Sequence, residues 1–201
     1  MRNWISLALL AAAVLTLTAC LSQAHPKKNY FTLDARPPET RADTAKRRTM
    51  LVGTVSAAAG YDNRGLVYRV GPGQFDTDFY NEFIAPPARL LADQCAQYLD
   101  AASRRVRVVK TPGLTLAEFG LETYLETMHG DFTTQPPQGV LVIRFTVNDL
   151  RRSPTRVLLD RTYRSSVPLA AKTPEALVTA LSACLESILA ELSGDIDKAV
   201  R

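Results

Sequence analysis

Histidine is scarce in this chain, and its scarcity limits the chemistry that the protein can perform. The sequence has two histidines, His25 and His129, and neither stands in the Cys, His or Glu spacing that holds a metal ion. It also lacks a Gly-Xaa-Ser-Xaa-Gly elbow and a glycine-rich phosphate loop, which are motifs of hydrolases and nucleotide-binding enzymes. Asp131 lies close to His129, but pairs of this kind arise often by chance. We therefore expect no catalytic centre, no metal site and no cofactor.

The chain also lacks a dense stripe of basic residues. It carries 24 Lys and Arg against 20 Asp and Glu, a formal net charge of +4, and charges of both signs are interspersed. Nucleic-acid-binding domains instead concentrate Lys and Arg on one face. The composition therefore argues against a nucleic-acid partner and is compatible with an anionic lipid surface.

An apolar run stands at the N-terminus and ends at a cysteine. Arg2 gives the run a positive start, and residues 5–17 are too few to span a bilayer comfortably. The four residues from Leu17 to Cys20 resemble the bacterial lipobox. That resemblance implies that the thiol of Cys20 is acylated, with palmitate among the expected chains, and that cleavage makes Cys20 the first residue. The alternative is an ordinary secreted protein with a chance cysteine.

These signals divide the chain into three parts. We expect residues 1–19 to be a cleaved lipoprotein signal peptide, 20–28 an acylated tether and 29–201 a single domain. Leu21 follows Cys20 where an aspartate would indicate retention in the inner membrane. By resemblance to other bacterial lipoproteins, this predicts anchoring in the outer membrane, facing the periplasm.

Two further cysteines, Cys95 and Cys184, remain in a compartment that permits disulfides. Cys95 lies four residues after Leu91 and Cys184 four before Ile188, so each falls on the apolar stripe of a predicted helix. We expect a disulfide that joins the two helices. Two buried free thiols are the alternative, because cysteine is among the most buried residue types.

Apolar periodicity predicts an α+β domain. The last helix begins at Thr173 as N-cap, with Pro174 at its first position. Residues 114–129 fit a helix or a strand about equally. Together with the predicted strands, this gives an antiparallel β-sheet with two long helices packed on one face. The predicted strands lie at 29–33, 50–55, 66–70, 106–109, 140–147 and 155–167.

The start of the first helix has two interpretations. An apolar stripe that includes Ile84 and Cys95 predicts a helix from about Asp78. Pro86 and Pro87 would disrupt the interior of such a helix, so the second interpretation starts it after Ala85.

A turn rich in Asp, Asn and Gly precedes the strand at 66–70, and the two form a candidate docking site. We predict that a partner docks there, by pairing with an exposed edge strand or through side chains. The alternative is a hairpin with solvated arginines. The side chains predicted to dock are Tyr61, Arg64, Tyr68 and Arg69.

Several short motifs, taken in order, resemble a known family. They are Tyr30-Phe31-Thr32-Leu33, Val52-Gly53-Thr54-Val55, Gly65-Leu66-Val67-Tyr68-Arg69, Asp78-Phe79-Tyr80-Asn81-Glu82-Phe83 and Pro86-Pro87-Ala88. With the lipobox, this order resembles the ABC-type transport auxiliary lipoproteins, which include those of the Pqi intermembrane transport system. The resemblance also implies a strand rather than a helix at 114–129.

This resemblance implies a function without catalysis. Such a protein is a periplasmic lipoprotein that docks to the MCE-domain subunit of an ABC transporter, and the transporter moves lipids between the inner and outer membranes. Two alternatives remain open. One is a free-standing outer-membrane lipoprotein for envelope integrity or assembly, and the other is a carrier that holds lipid between sheet and helices.

Overall fold

Eight strands and two helices make up the part of the chain that the structure, a computed structural model, describes: residues 27–39, 47–109 and 116–200. Cys20, the signal peptide and the tether up to residue 26 lie outside the described residues. The elements are β1 (Asn29–Phe31), β2 (Arg48–Ala57), β3 (Gly65–Gly71), β4 (Gln74–Phe83), α1 (Pro87–Ala102), β5 (Val106–Val109), β6 (Phe119–Asp131), β7 (Gln138–Asp149), β8 (Arg156–Pro168) and α2 (Pro174–Ala199).

The strands form one sheet around β6. Along one edge, β6 pairs with β7 over its whole length, and β7 pairs with β8. A strand has only two edges, so β2 and β3 share the other edge of β6. The segment of β6 from Phe119 to Leu125 pairs with β2, and Gly130 and Asp131 of β6 pair with β3. Beyond them, β5 adds to β2, while β4 and then β1 add to β3. The strand expected within 114–129 is therefore confirmed as β6, and the structure places it at the centre of the sheet.

The expectation of a purely antiparallel sheet is wrong. Antiparallel pairing occurs in β3–β4, β6–β7 and β7–β8, whose strands are joined directly by short turns. The pairs β1–β4, β2–β5, β2–β6 and β3–β6 are parallel, since longer segments separate their strands and return the chain to the same end. Residue periodicity shows which face a side chain occupies, but it does not show the direction of a neighbouring strand.

The first helix begins at Pro87, so a start near Asp78 is also wrong. Residues Gln74–Phe83 pair with β3 as β4, and Pro86 occupies the N-cap of α1. A proline suits the first helical position because it has no N–H that would need a partner there. Ile84, expected on the helical stripe, precedes the helix and is 62% exposed. The interpretation that starts the helix after Ala85 is confirmed.

The second helix begins as predicted and packs deeply into the core. The backbone N–H of Ala176 donates to Thr173 Oγ1 at 3.2 Å, which makes Thr173 the N-cap. By length and composition α2 is apolar enough to cross a membrane, but 56% of its most apolar window is buried within the protein. This burial is typical of the core helix of a folded domain.

Both helices pack on one face of the sheet and contact each other: α1 covers β2 and β5, and α2 covers β7 and β8. At Gly139 on β7 the sheet and α2 lie close together, because a Cβ added there would lie 2.9 Å from the Cβ of Ala180. Only glycine leaves room for the helix at this point.

Cys95 and Cys184 are free and buried in the structure. The Cys184 thiol donates to the carbonyl of Gly139 at 3.4 Å, so it points at β7 rather than along the contact with α1. Burial raises the pKa of Cys95 to about 12 and also raises the pKa of Cys184, which makes both thiols poor nucleophiles. The geometry favours two buried thiols over the disulfide, which stays a hypothesis.

Candidate functional site

The sheet face that the helices leave uncovered carries paired polar side chains. On β7, Arg144 Nε donates to Asp160 Oδ1 at 2.8 Å across to β8. Also from β7, Asn148 Nδ2 donates to Glu122 of β6 at 2.9 Å. These pairs lie between the residues of β7 that face the helices, because successive side chains of a strand point to opposite faces. We call this surface the open face.

At one end of the open face, an aromatic and charged cluster spans three strands. Strand pairing places Arg69 of β3 beside Asp131 of β6 on one side and beside Phe75 of β4 on the other. The turn before β3 then adds Tyr61, whose hydroxyl lies 3.0 Å from Nδ1 of His129. We call this group of Tyr61, Arg69, Phe75, His129 and Asp131 the Tyr61–His129 cluster.

Ring contacts and an ion pair hold the cluster together. The rings of Tyr61 and His129 stack with centroids 6.2 Å apart, and Phe75 meets His129 edge-on at 5.4 Å. Arg69 Nη1 lies 3.2 Å from Asp131 Oδ2. The other carboxylate oxygen of Asp131 accepts from the backbone N–H of Thr133 at 2.9 Å and from its hydroxyl. Each member is therefore fixed by at least one neighbour.

The electrostatics of the cluster follow from burial and from these bonds. The hydrogen bond from the Thr133 hydroxyl and the charge of Arg69 hold the pKa of Asp131 below its usual value. Burial lowers the pKa of His129, against the opposing effect of Asp131. At neutral pH the cluster thus contains a neutral imidazole and an ionised carboxylate that is only 7% exposed.

This arrangement suits recognition better than proton transfer. His129 Nδ1 is engaged by Tyr61, and both oxygens of Asp131 are engaged by Arg69 and Thr133. The Arg69 side chain and Phe75 remain about half exposed. Among residues 27–39, 47–109 and 116–200, no group of three or more His, Cys, Asp or Glu side chains could hold a metal ion.

The four side chains predicted to dock a partner do not form one site. Tyr61 and Arg69 meet in the cluster, whereas Tyr68 lies on the helix side, where its hydroxyl donates to Asp78 at 3.2 Å. Arg64 is also separate, with Nη2 3.2 Å from Glu82 Oε2 near β1. Moreover, β3 is not an edge strand, because it lies between β4 and β6. On the side of β6, β3 is paired only at Tyr68 and Arg69, so these two residues do not offer a free strand edge. Docking at this site stays a prediction.

Sequence reasoning missed Phe75, His129 and Asp131 as members of this cluster. One signal was available: residues two apart in a strand share a face, which places His129 beside Asp131. Nothing local indicates that β3 runs parallel to the end of β6 and brings Arg69 to them.

A lipid pocket between sheet and helices stays a hypothesis. A cleft of about 330 Å³ lies where β3 and β4 meet the start of α2, is lined by Tyr68 and Phe132 among others, and is open to solvent. Deeper in the core, the cavity lined by Leu66, Phe83 and Leu181 among others has a volume of about 10 Å³. A cavity of that size holds at most about one water molecule. The apolar side chains of the helices and of the sheet fill the core instead.

Solved structures share this fold. Protein XCC0632 from Xanthomonas campestris, of the DUF330 family model, has a TM-score of 0.72 at 17% identity and covers 85% of this chain and 96% of its own. The hypothetical protein CT253 from Chlamydia trachomatis has a TM-score of 0.58 at 11% identity, covering 77% of this chain and 98% of its own. The comparison with curated proteins gave no match.

The comparison with protein families is more specific. Residues 31–193 match the family described as ABC-type transport auxiliary lipoprotein component. That stretch begins at the last residue of β1 and ends within α2, so it includes the strands β2 to β8, all of α1 and most of α2. The description associates the family with an ABC transport system and with the cell envelope. The chain therefore belongs to the ABC-type transport auxiliary lipoprotein components.

Proposed function

We propose that this protein is a non-enzymatic periplasmic lipoprotein of an MCE-type ABC transport system that moves lipids between the inner and outer membranes. In this proposal Cys20 carries the lipid anchor in the outer membrane, and the folded domain docks to the MCE-domain subunit. The observation that carries it is the family match over residues 31–193, which spans most of the folded domain. The lipobox at the N-terminus supports the anchor.

The Tyr61–His129 cluster is the docking surface that the geometry supports best. It presents an aromatic ring and a guanidinium side by side, a combination that is enriched in protein interfaces. Phe75 and Arg69 are both held in place before a partner arrives, by His129 and Asp131 respectively. Preorganised side chains lose less conformational entropy on binding.

A capture experiment in detergent tests this proposal. The mature lipoprotein is mixed with the purified MCE subunit encoded beside its gene, and the captured fraction is measured for wild type, Phe75→Ala and a control, Tyr124→Ala. Tyr124 is the matched control because it lies opposite Arg144 on the open face, is similarly exposed and stands outside the cluster. We expect Phe75→Ala to weaken capture at least several-fold and Tyr124→Ala to leave it unchanged.

Two results would overturn the proposal. Equal capture of all three proteins would show that the cluster does not dock the partner. Absence of capture by the wild type, together with a hydrolase or transferase activity that a point mutation abolishes, would contradict the whole function. Genes for an MCE subunit, a permease and an ATPase beside this one distinguish the transport function from a free-standing envelope lipoprotein.

A further inference from the structure

Exposed apolar side chains gather at one corner of the sheet, where β1 meets the end of β4. Phe79 is 66% exposed and Tyr30 is 54% exposed, while Tyr80 is less exposed and Ile84 stands just after β4. We call these four residues the β1–β4 corner. A patch of exposed apolar side chains on a folded domain is typical of a surface that contacts another protein or a membrane.

Strand geometry places these side chains together. Lys28 and Tyr30 are two residues apart in extended chain and so share a face, and Tyr30 stands opposite Glu82 in the parallel pairing of β1 with β4. Lys28 forms an ion pair with Glu82, and its ammonium lies 4.0 Å from the ring centroid of Phe79. Tyr30, Phe79 and the Lys28–Glu82 pair therefore lie on one side of the corner.

A bulge in β4 turns the aromatic rings outward. The β3–β4 register shifts between Gly65 and Val67. Within the bulge, Asp78 Oδ1 accepts from the backbone N–H groups of Tyr80 and Asn81, both at 2.9 Å. Phe79 and Tyr80 then meet edge-on with centroids 5.2 Å apart. The rings are thus exposed by a defined backbone conformation.

The charges at the corner are compatible with an anionic lipid surface. The carboxylate of Glu82 is balanced by Lys28 and Arg64. Arg64 and Arg89 also line the shallow cleft next to Ile84, together with Asp62. Basic side chains near a membrane surface are attracted to anionic headgroups.

The length of the tether holds this corner close to the anchor. Lys28 follows Cys20 by eight residues, and an extended chain spans at most about 3.6 Å per residue, or roughly 29 Å in all. If the protein is anchored through Cys20, β1 is therefore the first element of the fold after the anchor, and it lies within reach of the leaflet.

We propose that the β1–β4 corner rests in the headgroup region of the leaflet that holds the acyl chains of Cys20. This inference rests on the anchor in the proposed function and is independent of docking to the MCE subunit. Tyrosine rings with a polar tip, and apolar Phe and Ile side chains beside them, suit the boundary between headgroups and acyl chains. Contact there fixes the orientation of the domain, with Phe75 at the far end of β4 from the corner.

Tryptophan fluorescence tests the inference directly. The sequence has one tryptophan, Trp4, in the expected signal peptide, so Phe79→Trp and the control Tyr124→Trp each give a mature protein with a single tryptophan. Both acylated proteins are reconstituted in vesicles of phosphatidylethanolamine and phosphatidylglycerol that contain brominated lipid. We expect a blue-shifted emission and several-fold stronger quenching for Phe79→Trp than for Tyr124→Trp, with unchanged thermal unfolding.

Four outcomes distinguish a failure of this inference from a failure of the proposed function on which it rests. Equal quenching of the two variants overturns contact at the corner while leaving the anchor intact. A blue shift of Phe79→Trp that requires the MCE subunit and is absent with vesicles alone also overturns it, because the corner is then a protein interface. If Cys20→Ala stays normally processed and fully membrane-bound in fractionated cells, the proposed anchor at Cys20 is wrong. If Phe79→Ala still captures the MCE subunit in detergent, the corner is not needed for docking, as this inference expects.

Discussion

The two faces of β7 differ in the middle of the strand, although single residues separate them. Toward the helices, Ile143 and Phe145 are completely buried, as are Leu141 and Val147. Toward the open face, Arg144 forms hydrogen bonds with Asp160 in contact with solvent. The difference shows how one strand contributes both to stability and to recognition, because alternate residues can change independently.

The open face is itself divided. Arg144 and Asp160 are both well exposed, and ion pairs of that kind contribute little to stability. In the Tyr61–His129 cluster, by contrast, Asp131 and His129 are buried among their partners. The cluster therefore combines buried side chains with an exposed rim. The first prediction below tests the difference between the two faces of β7, and the next two test whether the cluster contributes to stability as a buried group would.

The largest effect is expected on the helix-covered face. Ile143→Ala removes a fully buried side chain beneath α2, so the free energy of unfolding should fall by roughly 2–5 kcal/mol. The neighbouring change Arg144→Ala, on the open face, should lower it much less, because an exposed ion pair contributes little to stability. Urea unfolding of both variants measures the contrast, and similar losses from the two would show that the faces are not divided in this way.

An intermediate effect is expected in the cluster. Asp131→Ala leaves the Thr133 N–H without its acceptor and Arg69 without its partner. The loss of a buried hydrogen-bonding partner costs about 1–3 kcal/mol. The exposed carboxylate of Asp160 is the control, and Asp160→Ala should change stability less. If the two variants unfold at the same urea concentration, the cluster is an ordinary solvated surface.

The smallest effect on the free energy of unfolding is expected from a change of pH. Burial places the pKa of His129 below its usual 6.5, so the unfolded chain binds this proton more readily than the folded one. The free energy of unfolding should therefore decrease as pH falls through about 6.5 toward the lower folded pKa, and then stop responding to this group. Asp131, with its pKa lowered from 3.8, loses its contribution only in more acid solution.

A substitution isolates the contribution of His129. His129→Gln keeps a polar side chain beside Tyr61 and removes the titration. Its stability should vary less with pH between neutrality and pH 5 than that of the wild type, measured by thermal unfolding in matched buffers. Parallel stability curves for the two proteins would show that His129 is not the group responsible.

Much of the fold was predictable because its elements carry local signals. The strand at 106–109 coincides with β5, the strand at 140–147 lies within β7, and Thr173 and Pro174 mark the start of α2. The strand β4 was missed since most of it is exposed on both sides, so its sequence has no alternation of apolar and polar residues. Strand direction was missed for a different reason, since it depends on connections and not on the strand itself.

Only part of the candidate site could likewise be predicted from the sequence. Tyr61 and Arg69 could be selected from the sequence because a turn and a strand beside it are local features. Their partners His129 and Asp131 reach them only through parallel pairing with a strand some sixty residues further along. Phe75 is placed beside Arg69 by the register of β4 against β3, which shifts between Arg69 and Gly71, next to the turn that joins the two strands.

The shared edge of β6 has a consequence for folding. Strands β2 and β3 both precede β6 in the chain. β3 can pair with β4 as a hairpin before β6 is available, whereas among the described strands β2 pairs only with β5 and β6. Pairs so distant in sequence give a high contact order, which slows folding. The edges of β2 therefore remain open until first β5 and then β6 are available. We expect this interval to be the step at which the folding chain is most prone to pair with other chains.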